Sequence, residues 1–517
     1  MRPCADPDMT AFESARQFFA KGDASRGIET YYQGAETRSP ASRRLYRADL
    51  ALLANPAELA GFDSAATGNE RASWIRRFWR QRDVAAGRSP GERLVEHNRR
   101  LRYAREHFRY IGSRRTHEPI FALRDNSSEF DDRGLIYIRH GEPDMQATDP
   151  SLDIPNVSWL YRGADGNLIF HFRTGPDTDV VGGANYHLVE SIVDILGFRN
   201  ALQVRAGQPD SVSVLPAARE LFRTRSGLDM RFEMLASSRV ATGAVELERE
   251  RGRQMVTRGI STDTYPLKFA HSLEPAVQGF GMASPTGGAL VVPFGLPLTR
   301  LTPLAAEVGD GQAGYRIAFR LLALGPDGIA RQLDTVRTFA VARAAKGYLT
   351  GLLELPAPAG EYALSLVVSQ EGGNGTAGAL PVAYVPDTSA RSASLSSLVL
   401  GQSGGLRWSA LGGTVDVNPL NTFPNDGSAT LFYQVGGFQA AAPVGVRIEL
   451  RSPGRKPVGL RFEEQAGPLT LARRTLDLTG LKPGEYHLTL SVSQAGTGNL
   501  TREADLYVTD RAGPGAQ

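Results

Sequence analysis

The chain has 517 residues, enough for three or four domains of ordinary size. Its 41% hydrophobic and 22% charged residues are typical of a folded soluble protein and argue against a disordered one. The formal net charge of +3 argues against a molecule built as a whole to bind nucleic acid, and a single cysteine, Cys4, excludes an intramolecular disulfide and a cysteine metal cluster.

The start of the chain as written does not resemble a secretion signal, because the first ten residues contain no apolar core. No apolar run approaches the roughly 20 residues of a membrane-spanning helix, so we predict no transmembrane segment. Cys4 stands just before a polar segment, where a lipoprotein cysteine would stand if the true start lay upstream. We favour an incidental exposed thiol as the interpretation of Cys4 and keep the lipoprotein cysteine as the alternative.

Residues 1–65 are predicted to form a helical cap. Apolar residues in the first predicted helix recur on one face, namely Phe12, Ala15, Phe18 and Phe19. The helix is expected to end at Lys21-Gly22-Asp23, and apolar stripes over 28–35 and 45–53 predict two more. The pattern resembles a tetratricopeptide-like hairpin, although one copy does not make an array.

Residues 66–285 are predicted to form one α+β domain, which opens with an arginine-rich segment. Between Arg71 and Arg115 the chain has 14 arginines and four acidic residues, and apolar spacing predicts two helices around a loop over Ala85–Gly91. Such helices can contact phosphate. Arginine is, however, the usual cation of this chain, and we expect these faces to be solvated and to pair with acidic residues around 246–250. We therefore predict no nucleic acid partner.

The middle of this domain alternates apolar and polar residues, which favours short strands. Three are predicted, over Leu135–His140, Val157–Arg162 and Leu168–Arg173. The last two are joined by a Gly- and Asp-containing hairpin signal at 163–167. Residues 186–260 are then predicted to be helical, most clearly over 216–257.

From about residue 286 the pattern predicts only β-structure, and it contains an internal repeat. The eleven residues from Gly360 to Gln370 match those from Gly484 to Gln494 without a gap. Each copy places a tyrosine, Tyr362 or Tyr486, before an alternating strand, which resembles the tyrosine corner of immunoglobulin-like sandwiches. We predict two such sandwiches, over 286–388 and 395–510, with a Ser- and Ala-rich linker near 386–397.

The segment from Asp131 to Asp144 resembles the core of the GWxTD-domain family, with an Asp-Arg-Gly opening, a short strand and a Gly-x-Pro-Asp turn. The flanks extend the resemblance to the family's Arg-Asp loop with its following helix and to its Trp-x-Tyr strand with its partner. The residues concerned are Phe78-Trp79, Arg82-Asp83, Glu92, Arg99–Phe108, Trp159-Leu160-Tyr161 and Leu168–Phe172. The naming motif aligns with 128–132 and keeps only Asp132. The family has no established activity, so the resemblance implies architecture and no mechanism.

The segment Arg139-His140-Gly141-Glu142 resembles the Arg-His-Gly opening of histidine phosphatases, in which the histidine is the nucleophile and the arginine holds the phosphate. The strands that follow are predicted to form an antiparallel hairpin, which is not the parallel arrangement that such an enzyme needs. Alternation with Ile136 and Ile138 predicts a semi-buried strand histidine. We therefore expect His140 to be structural and keep the phosphatase as the alternative.

The carboxylates Asp131, Asp132, Glu142 and Asp144 suggest a metal site. On a strand the two pairs would lie about 23 Å apart, at ~3.3 Å per residue, so one joint site is not expected. Six of the eight histidines fall between His97 and His187, but without a His-x3-His zinc spacing. We predict no metal and no cofactor, and candidate binding residues Asp132, Arg133, Glu142, Asp144 and Trp159.

The sequence as a whole predicts a multidomain α+β protein with a helical N-terminal region, a small antiparallel sheet with helices and two C-terminal all-β sandwiches. The favoured function is non-enzymatic binding or structure, with a protein or envelope component as partner. The expected location is extracytoplasmic or envelope-associated, and otherwise cytoplasmic. A phosphohydrolase that uses His140 and Arg139 is the alternative.

Overall fold

The computed structural model describes most of the chain, in eleven segments: 7–111, 129–163, 166–174, 185–205, 208–305, 311–389, 392–439, 443–454, 457–464, 467–494 and 498–510. The chain divides into two compact units, and neither is continuous in sequence. The first unit comprises Met1–Phe78 and Gly91–Tyr265, and the second comprises Trp79–Pro90 and Pro266–Gln517. Each unit is described by itself below.

The first unit contains most of the helices. Its helices are α1 (Pro7–Ala20), α2 (Ala24–Gly34), α3 (Pro40–Ala51), α4 (Pro56–Ser64), α5 (Gly68–Ala85, which continues into the second unit), α6 (Glu92–His107), α7 (Asp132–His140), α8 (Phe198–Ala201), α9 (Pro216–Thr224), α10 (Arg231–Leu235) and α11 (Thr242–Ser261). Its strands are β1 (Met145–Thr148), β2 (Asn156–Tyr161), β3 (Leu168–Thr174), β4 (Tyr186–Val189), β5 (Leu202–Arg205), β6 (Gln208–Val214) and β7 (Arg239–Ala241), and a 3₁₀ helix lies at Ile192–Ile195. No described helix is both long and apolar enough to cross a membrane.

Side-chain caps fix where the N-terminal helices begin. The Asp23 and Ser39 side chains accept hydrogen bonds from the first turns of α2 and α3. At α4, Asn55 and Glu58 form a reciprocal capping box. The helices predicted over 1–65 are therefore present, as is the loop after Ala85 that separates α5 from α6.

The predicted strand Leu135–His140 is wrong, because this segment is helix α7. The Asp131 side chain caps the helix by accepting from Arg133 N at 3.0 Å, and Gly141 ends it with a left-handed φ of 79°. Every residue from Gly134 to His140 is buried. A short helix buried on all sides has a continuous apolar run, which periodicity alone does not distinguish from a strand.

Strands β1 to β4 form an antiparallel meander in sequence order. The predicted hairpin is present, with Trp159 opposite Phe170 in the β2–β3 register. One face of the sheet packs on α7 and α11 through Ile136, Tyr137 and Val256. The other face packs on α9 and α10. Both faces are thus covered, which explains why all of β2 is buried.

The prediction that residues 186–260 are helical is only partly right. Helices α9, α10 and α11 lie within the segment predicted most clearly, but β4 lies at its start, and β5, β6 and β7 form a three-stranded antiparallel sheet. These strands have between three and seven residues, so they offered too few alternations to distinguish them from helix turns.

The second unit is built of strands. They are β8 (Ala276–Val277), β9 (Phe280–Ser284), β10 (Gly287–Pro297), β11 (Gln312–Leu324), β12 (Ala330–Ala342), β13 (Tyr348–Pro356), β14 (Gly360–Ser369), β15 (Gly375–Val385), β16 (Ser394–Leu395), β17 (Val399–Gly401), β18 (Leu406–Ala410), β19 (Gly413–Val417), β20 (Thr422–Pro424), β21 (Ser428–Gly436), β22 (Val444–Arg451), β23 (Val458–Glu464), β24 (Thr470–Asp477), β25 (Gly484–Gln494) and β26 (Gly498–Thr509). A 3₁₀ helix lies at Leu298–Arg300.

These strands form two sandwiches, each with its own apolar core. In the first, the sheet β13-β10-β8 with β9 faces the sheet β12-β11-β14-β15 across a core that includes Leu290, Leu321 and Leu366. In the second, the sheet β16-β21-β17 with β24 faces β20-β26-β25-β22-β23 across a core that includes Leu431, Ile448 and Leu490. The predicted fold class is confirmed.

The repeated segment occupies equivalent places in the two sandwiches, as β14 and β25. Tyr362 Oη donates to Pro358 O at 2.9 Å, and Tyr486 Oη donates to Lys482 O at 2.8 Å, so both tyrosine corners are present. The last residue of each copy, Gln370 or Gln494, also pairs through its side-chain amide with the backbone of one loop residue. The two copies of the repeat therefore make the same side-chain hydrogen bonds, through the tyrosine near the start and the glutamine at the end.

A third apolar cluster joins the two sandwiches within the second unit. Phe280 and Val291 of the first sandwich pack with Trp408, Val415 and Phe432 of the second. The predicted linker near 386–397 extends too far, because 386–389 and 392–393 lie between β15 and β16, but Ser394 and Leu395 form β16 and Ser397 is buried. A serine-rich segment has the composition of a linker, but its hydroxyl groups can also fix it in place by hydrogen bonds. Here Ser397 Oγ accepts from the backbone amides of both Gly281 and Tyr384.

The predicted domain boundary at 285 falls inside the β9–β10 hairpin, in which Ser284 pairs with Gly287. The sequence contained too few alternating residues before 286 to indicate β8 and β9. The segment 79–90 also belongs to the second unit. Val84 packs with Leu322 and Leu324, and Arg88 donates to Pro266 O at 3.0 Å.

Candidate functional site

His140 lies in the last turn of α7, and only 4% of its surface is exposed. Its Nε2 lies 2.6 Å from Gly259 O and therefore donates to it, which leaves Nδ1 to accept from the Thr264 hydroxyl at 3.2 Å. Burial, with a smaller contribution from the Arg139 charge, lowers the pKa of His140 to about 4. The neutral ring thus ties α7 to the end of α11 and the segment after it.

Arg139 is buried and binds backbone carbonyl oxygens. Its guanidinium donates to the carbonyl oxygens of Leu53 at 2.7 Å and Thr262 at 3.5 Å. The sheet that follows is an antiparallel meander, and α7 precedes it in place of a parallel strand. The structure around His140 therefore lacks the parallel strand arrangement that a histidine phosphatase needs.

Asp131, Asp132 and Arg133 lie at the other end of α7 and hold the edge strand β4. The Asp131 carboxylate accepts from Tyr186 N at 3.1 Å, and that of Asp132 accepts from Leu188 N at 2.9 Å. Burial raises the pKa of Asp131, and the ion pair with Arg133 offsets only part of this increase. The Arg133 guanidinium also lies 3.7 Å from the centre of the Tyr186 ring.

Glu142 and Asp144 lie beyond the opposite end of the helix. Glu142 is exposed, while Asp144 accepts from Arg162 N at 2.7 Å across the β1–β2 hairpin. The eight steps of α7 span about 12 Å at 1.5 Å per residue, half of the separation expected for a strand. The two acidic pairs are still far apart, and no described group of three His, Cys, Asp or Glu side chains could hold a metal ion.

Trp159 is 2% exposed and lies in the core between the sheet and α7. It shares this core with Tyr137 and Phe170, and its closest ring contacts are with Phe172 at 4.9 Å and Phe108 at 5.5 Å. A buried indole in an apolar cluster has a structural role. Of the five predicted binding residues, only Glu142 is exposed.

A buried polar network on the opposite face of the sheet escaped sequence analysis. Arg225 Nε donates to Ser158 Oγ at 2.9 Å, so the hydroxyl proton is directed to His171 Nδ1 at 2.7 Å. Burial, followed by the Arg225 charge, lowers the pKa of His171 to about 3, and burial lowers that of Arg225 to about 10. A serine–histidine pair can be nucleophilic, but Ser158 has no exposed surface that a substrate could reach.

A second buried network lies among the N-terminal helices. The Asp49 carboxylate meets His97 Nε2 at 3.0 Å, Tyr31 Oη at 3.1 Å and Arg16 Nη2 at 3.3 Å. Burial alone would raise the pKa of Asp49, but His97 and Arg16 outweigh burial and hold this pKa well below its usual value. The network fixes α1, α3 and α6 around one ionised carboxylate. Its members are more than thirty residues apart in places, so no local motif reveals it.

Arg16 also lines a cleft between α1 and α6, with a volume of about 420 Å³. This size suits a ligand site. The lining of the cleft comes from these two helices: Glu13, Arg16, Gln17, Phe19, Ala20, Val95, Asn98, Arg99, Leu101, Arg102 and Arg105. We call it the α1–α6 cleft. Four arginines and one carboxylate line it, so its chemistry favours an anion.

Two of the arginines of the cleft pair with glutamates that are not part of its lining. Arg99 forms two hydrogen bonds with Glu96, at 2.7 and 2.8 Å, and Arg105 pairs with Glu129 at 2.6 Å. Burial alone would raise the pKa of Glu96, but Arg99 and Arg100 lower it. The expected pairing of these arginines with residues around 246–250 is wrong, because glutamates on α6 itself and beside α7 lie nearer. The spacing Arg99, Arg102, Arg105 was the available sequence signal.

No model of a known protein family and no curated protein matches the chain. Solved structures align with parts of it. Red sea bream transglutaminase aligns at 10% identity and a TM-score of 0.17 over 50% of this chain, which spans 34% of the transglutaminase. A DUF3823 family protein from Bacteroides ovatus aligns at 10% identity and a TM-score of 0.16, over 40% of this chain and 95% of that protein. The FN1-FN3 domains of chicken CNTN1 align at 12% identity and a TM-score of 0.14, over 48% of this chain and 66% of theirs. At these scores the alignments carry no argument about fold or function.

Proposed function

We propose that this chain is a non-enzymatic binding or structural protein, with the α1–α6 cleft as its ligand site. The observation that carries the proposal is the lining of that cleft, which contains four guanidinium groups and several apolar side chains but only one carboxylate. Guanidinium groups bind and orient anions, whereas they do not act as nucleophiles or general bases.

The residues best suited to chemistry support the same proposal. Both ring nitrogens of His140 are engaged in hydrogen bonds, and the Ser158 hydroxyl is shared between Arg225 and His171. A nucleophile needs an accessible atom and a substrate beside it. These groups instead satisfy one another inside the first unit, as buried polar groups must.

We further propose that the protein is extracytoplasmic or envelope-associated, and that the segment 131–144 is related to the GWxTD-domain family. The observations in support are the Asp-Arg-Gly and Gly-x-Pro-Asp sequences and two tandem sandwiches, which commonly serve binding or spacing. The family's strand over 135–140 is a helix here, so the relationship rests on the sequence motifs.

The test combines turnover and location. Purified protein should hydrolyse an aryl phosphate no faster than the His140→Ala variant does. Fractionation of the native host, followed by antibody detection, should place the protein outside the cytoplasm. Turnover that is lost in His140→Ala while its melting curve is unchanged would overturn the non-enzymatic proposal. Recovery of the protein only in the cytosol would overturn the proposed location and leave the cleft unaffected.

A further inference from the structure

We infer that the α1–α6 cleft binds an acidic peptide segment in which an apolar side chain stands between carboxylates. The inference rests on the proposed binding function and names the chemistry of the ligand. It is carried by three properties of the cleft, namely the spacing of its arginines, the way in which they are held, and its apolar floor.

Three of the arginines are spread along α6. Arg99, Arg102 and Arg105 follow one another at every third residue of α6, so their backbone positions span about 9 Å at 1.5 Å per residue. Arg16 lines the cleft from α1. An extended row of charges suits an elongated ligand with several carboxylates, whereas a single phosphate group needs donors that converge on one point.

The charges are pre-ordered before any ligand arrives. Asp49 and Glu96, which hold Arg16 and Arg99, have side chains only 2% and 8% exposed, and each bonds to its arginine from the protein interior. Arg102 donates through Nη1 to Ala20 O at 3.0 Å and so caps the end of α1. A guanidinium has five N–H donors, so Arg102 keeps others for a carboxylate. Ordering these side chains in advance lowers the entropy cost of binding.

The apolar lining decides between ligand classes. Phe19, Ala20, Val95 and Leu101 line the cleft together with the arginines. An inorganic anion or a nucleic acid backbone would leave this apolar surface uncovered, whereas a leucine or phenylalanine side chain would cover it. An acidic peptide that contains such a residue satisfies both the guanidinium groups and the floor.

The test is fluorescence anisotropy with the full chain and a labelled peptide of about twelve residues rich in Glu and Leu. The peptide should bind, its affinity should fall as salt rises, and a version with every Glu replaced by Lys should not bind. Arg102→Gln, which keeps an N–H donor for Ala20 O, should weaken binding about three- to fivefold, the effect of losing one partly exposed ion pair. Arg44→Gln, on an exposed α3 residue, is the matched control and should bind as the wild type does.

A second variant tests the floor without changing charge. Ala20 is exposed at the cleft, so Ala20→Trp should fill it and weaken binding at least about tenfold, with the melting temperature recorded as the folding control. If acidic peptides fail to bind while inorganic phosphate or an RNA oligonucleotide binds in an Arg102-dependent way, the peptide inference is wrong and the binding function stands. If folded protein binds none of these anions, both proposals for the cleft fail.

Discussion

The two units bury different kinds of polar residue. Among the described residues, every buried arginine and histidine lies in the first unit: Arg71, Arg93, Arg100, Arg139, Arg225, His97, His140 and His171. The buried polar residues of the second unit are serine, glutamine and asparagine, apart from Asp83 and Glu449. One unit is thus organised around ionisable networks, and the other around neutral amide and hydroxyl hydrogen bonds.

This difference reflects how each unit covers its backbone. In the second unit the strands pair along their length, so few carbonyl or amide groups need a side-chain partner. In the first unit short helices end inside the protein, and long cationic side chains reach their carbonyl oxygens, as Arg100 does at Arg139 and Thr264. We therefore expect the first unit to respond to pH and the second to respond mainly to packing.

The largest predicted effect concerns packing in the first unit. Trp159→Ala should lower the free energy of unfolding by about 3–5 kcal/mol, because it removes a buried aromatic side chain and leaves a cavity. Hydrogen–deuterium exchange should then rise in β1 to β4, while β14 and β25 keep their protection. Trp408→Ala, in the cluster that joins the sandwiches, is the reciprocal control. An unchanged melting curve for Trp159→Ala would show that the indole is not part of a core.

The next prediction concerns pH. The pKa of His140 is lowered to about 4 from an ordinary value of 6.5, so between these values the unfolded chain binds a proton that the folded chain does not. Stability is therefore present above about pH 6.5 and is lost as pH falls towards 4, by up to about 3 kcal/mol. His171, with a pKa of about 3, acts in the same direction.

The comparison of wild type with His140→Gln isolates this effect. Glu248, whose pKa burial raises to about 7, titrates with the opposite sign in the same range, so the difference in slope between the two proteins is the quantity to measure. Denaturant unfolding at pH 4.5, 5.5 and 6.5 should give a flatter dependence for the variant. Equal slopes would contradict the buried, neutral state of His140. In the second unit the Asp505 hydrogen bond raises the pKa of exposed His487, so any effect there has the reverse sign.

The smallest effects are predicted for the repeat. Tyr362→Phe and Tyr486→Phe should each lower the free energy of unfolding by about 1 kcal/mol, because each removes one hydroxyl hydrogen bond and no packing. The effects should be equal, since the two bonds differ by only 0.1 Å. Thermal melts of both variants at pH 7 measure this. A clearly larger loss at one corner would show that the two sandwiches do not use the repeat in the same way.

Sequence patterns predicted those parts of the fold in which local chemistry and tertiary structure agree. The β2–β3 hairpin and the two corners depend on alternation, glycine and a tyrosine four residues after its acceptor, and all of these can be read locally. Helix α7 was misread because burial on every side removes periodicity. His140 was expected to be structural on a strand, whereas it lies on a helix with both ring nitrogens in hydrogen bonds.

The α1–α6 cleft was not predicted because it depends on two helices separated by more than seventy residues in sequence. The spacing of Arg99, Arg102 and Arg105 is visible in the sequence, but only the burial of Glu96 and Asp49 behind the row distinguishes an ordered cationic surface from a solvated one. The polar networks around Asp49 and Arg225 join residues equally distant in sequence. Hydrogen bonds between residues so distant in sequence produce no periodic pattern that sequence analysis could detect.

The assignment of 79–90 to the second unit has a consequence for biosynthesis. As the chain emerges from the ribosome, Val84 is made about 240 residues before its partners Leu322 and Leu324, and most of the first unit is translated in the interval. Contacts this distant in sequence form late and slowly. The apolar surface of Val84 and its neighbours therefore stays without these packing partners until the first sandwich has been synthesised. A nascent chain stalled near residue 265 should need chaperone protection at this segment even when its first unit is complete.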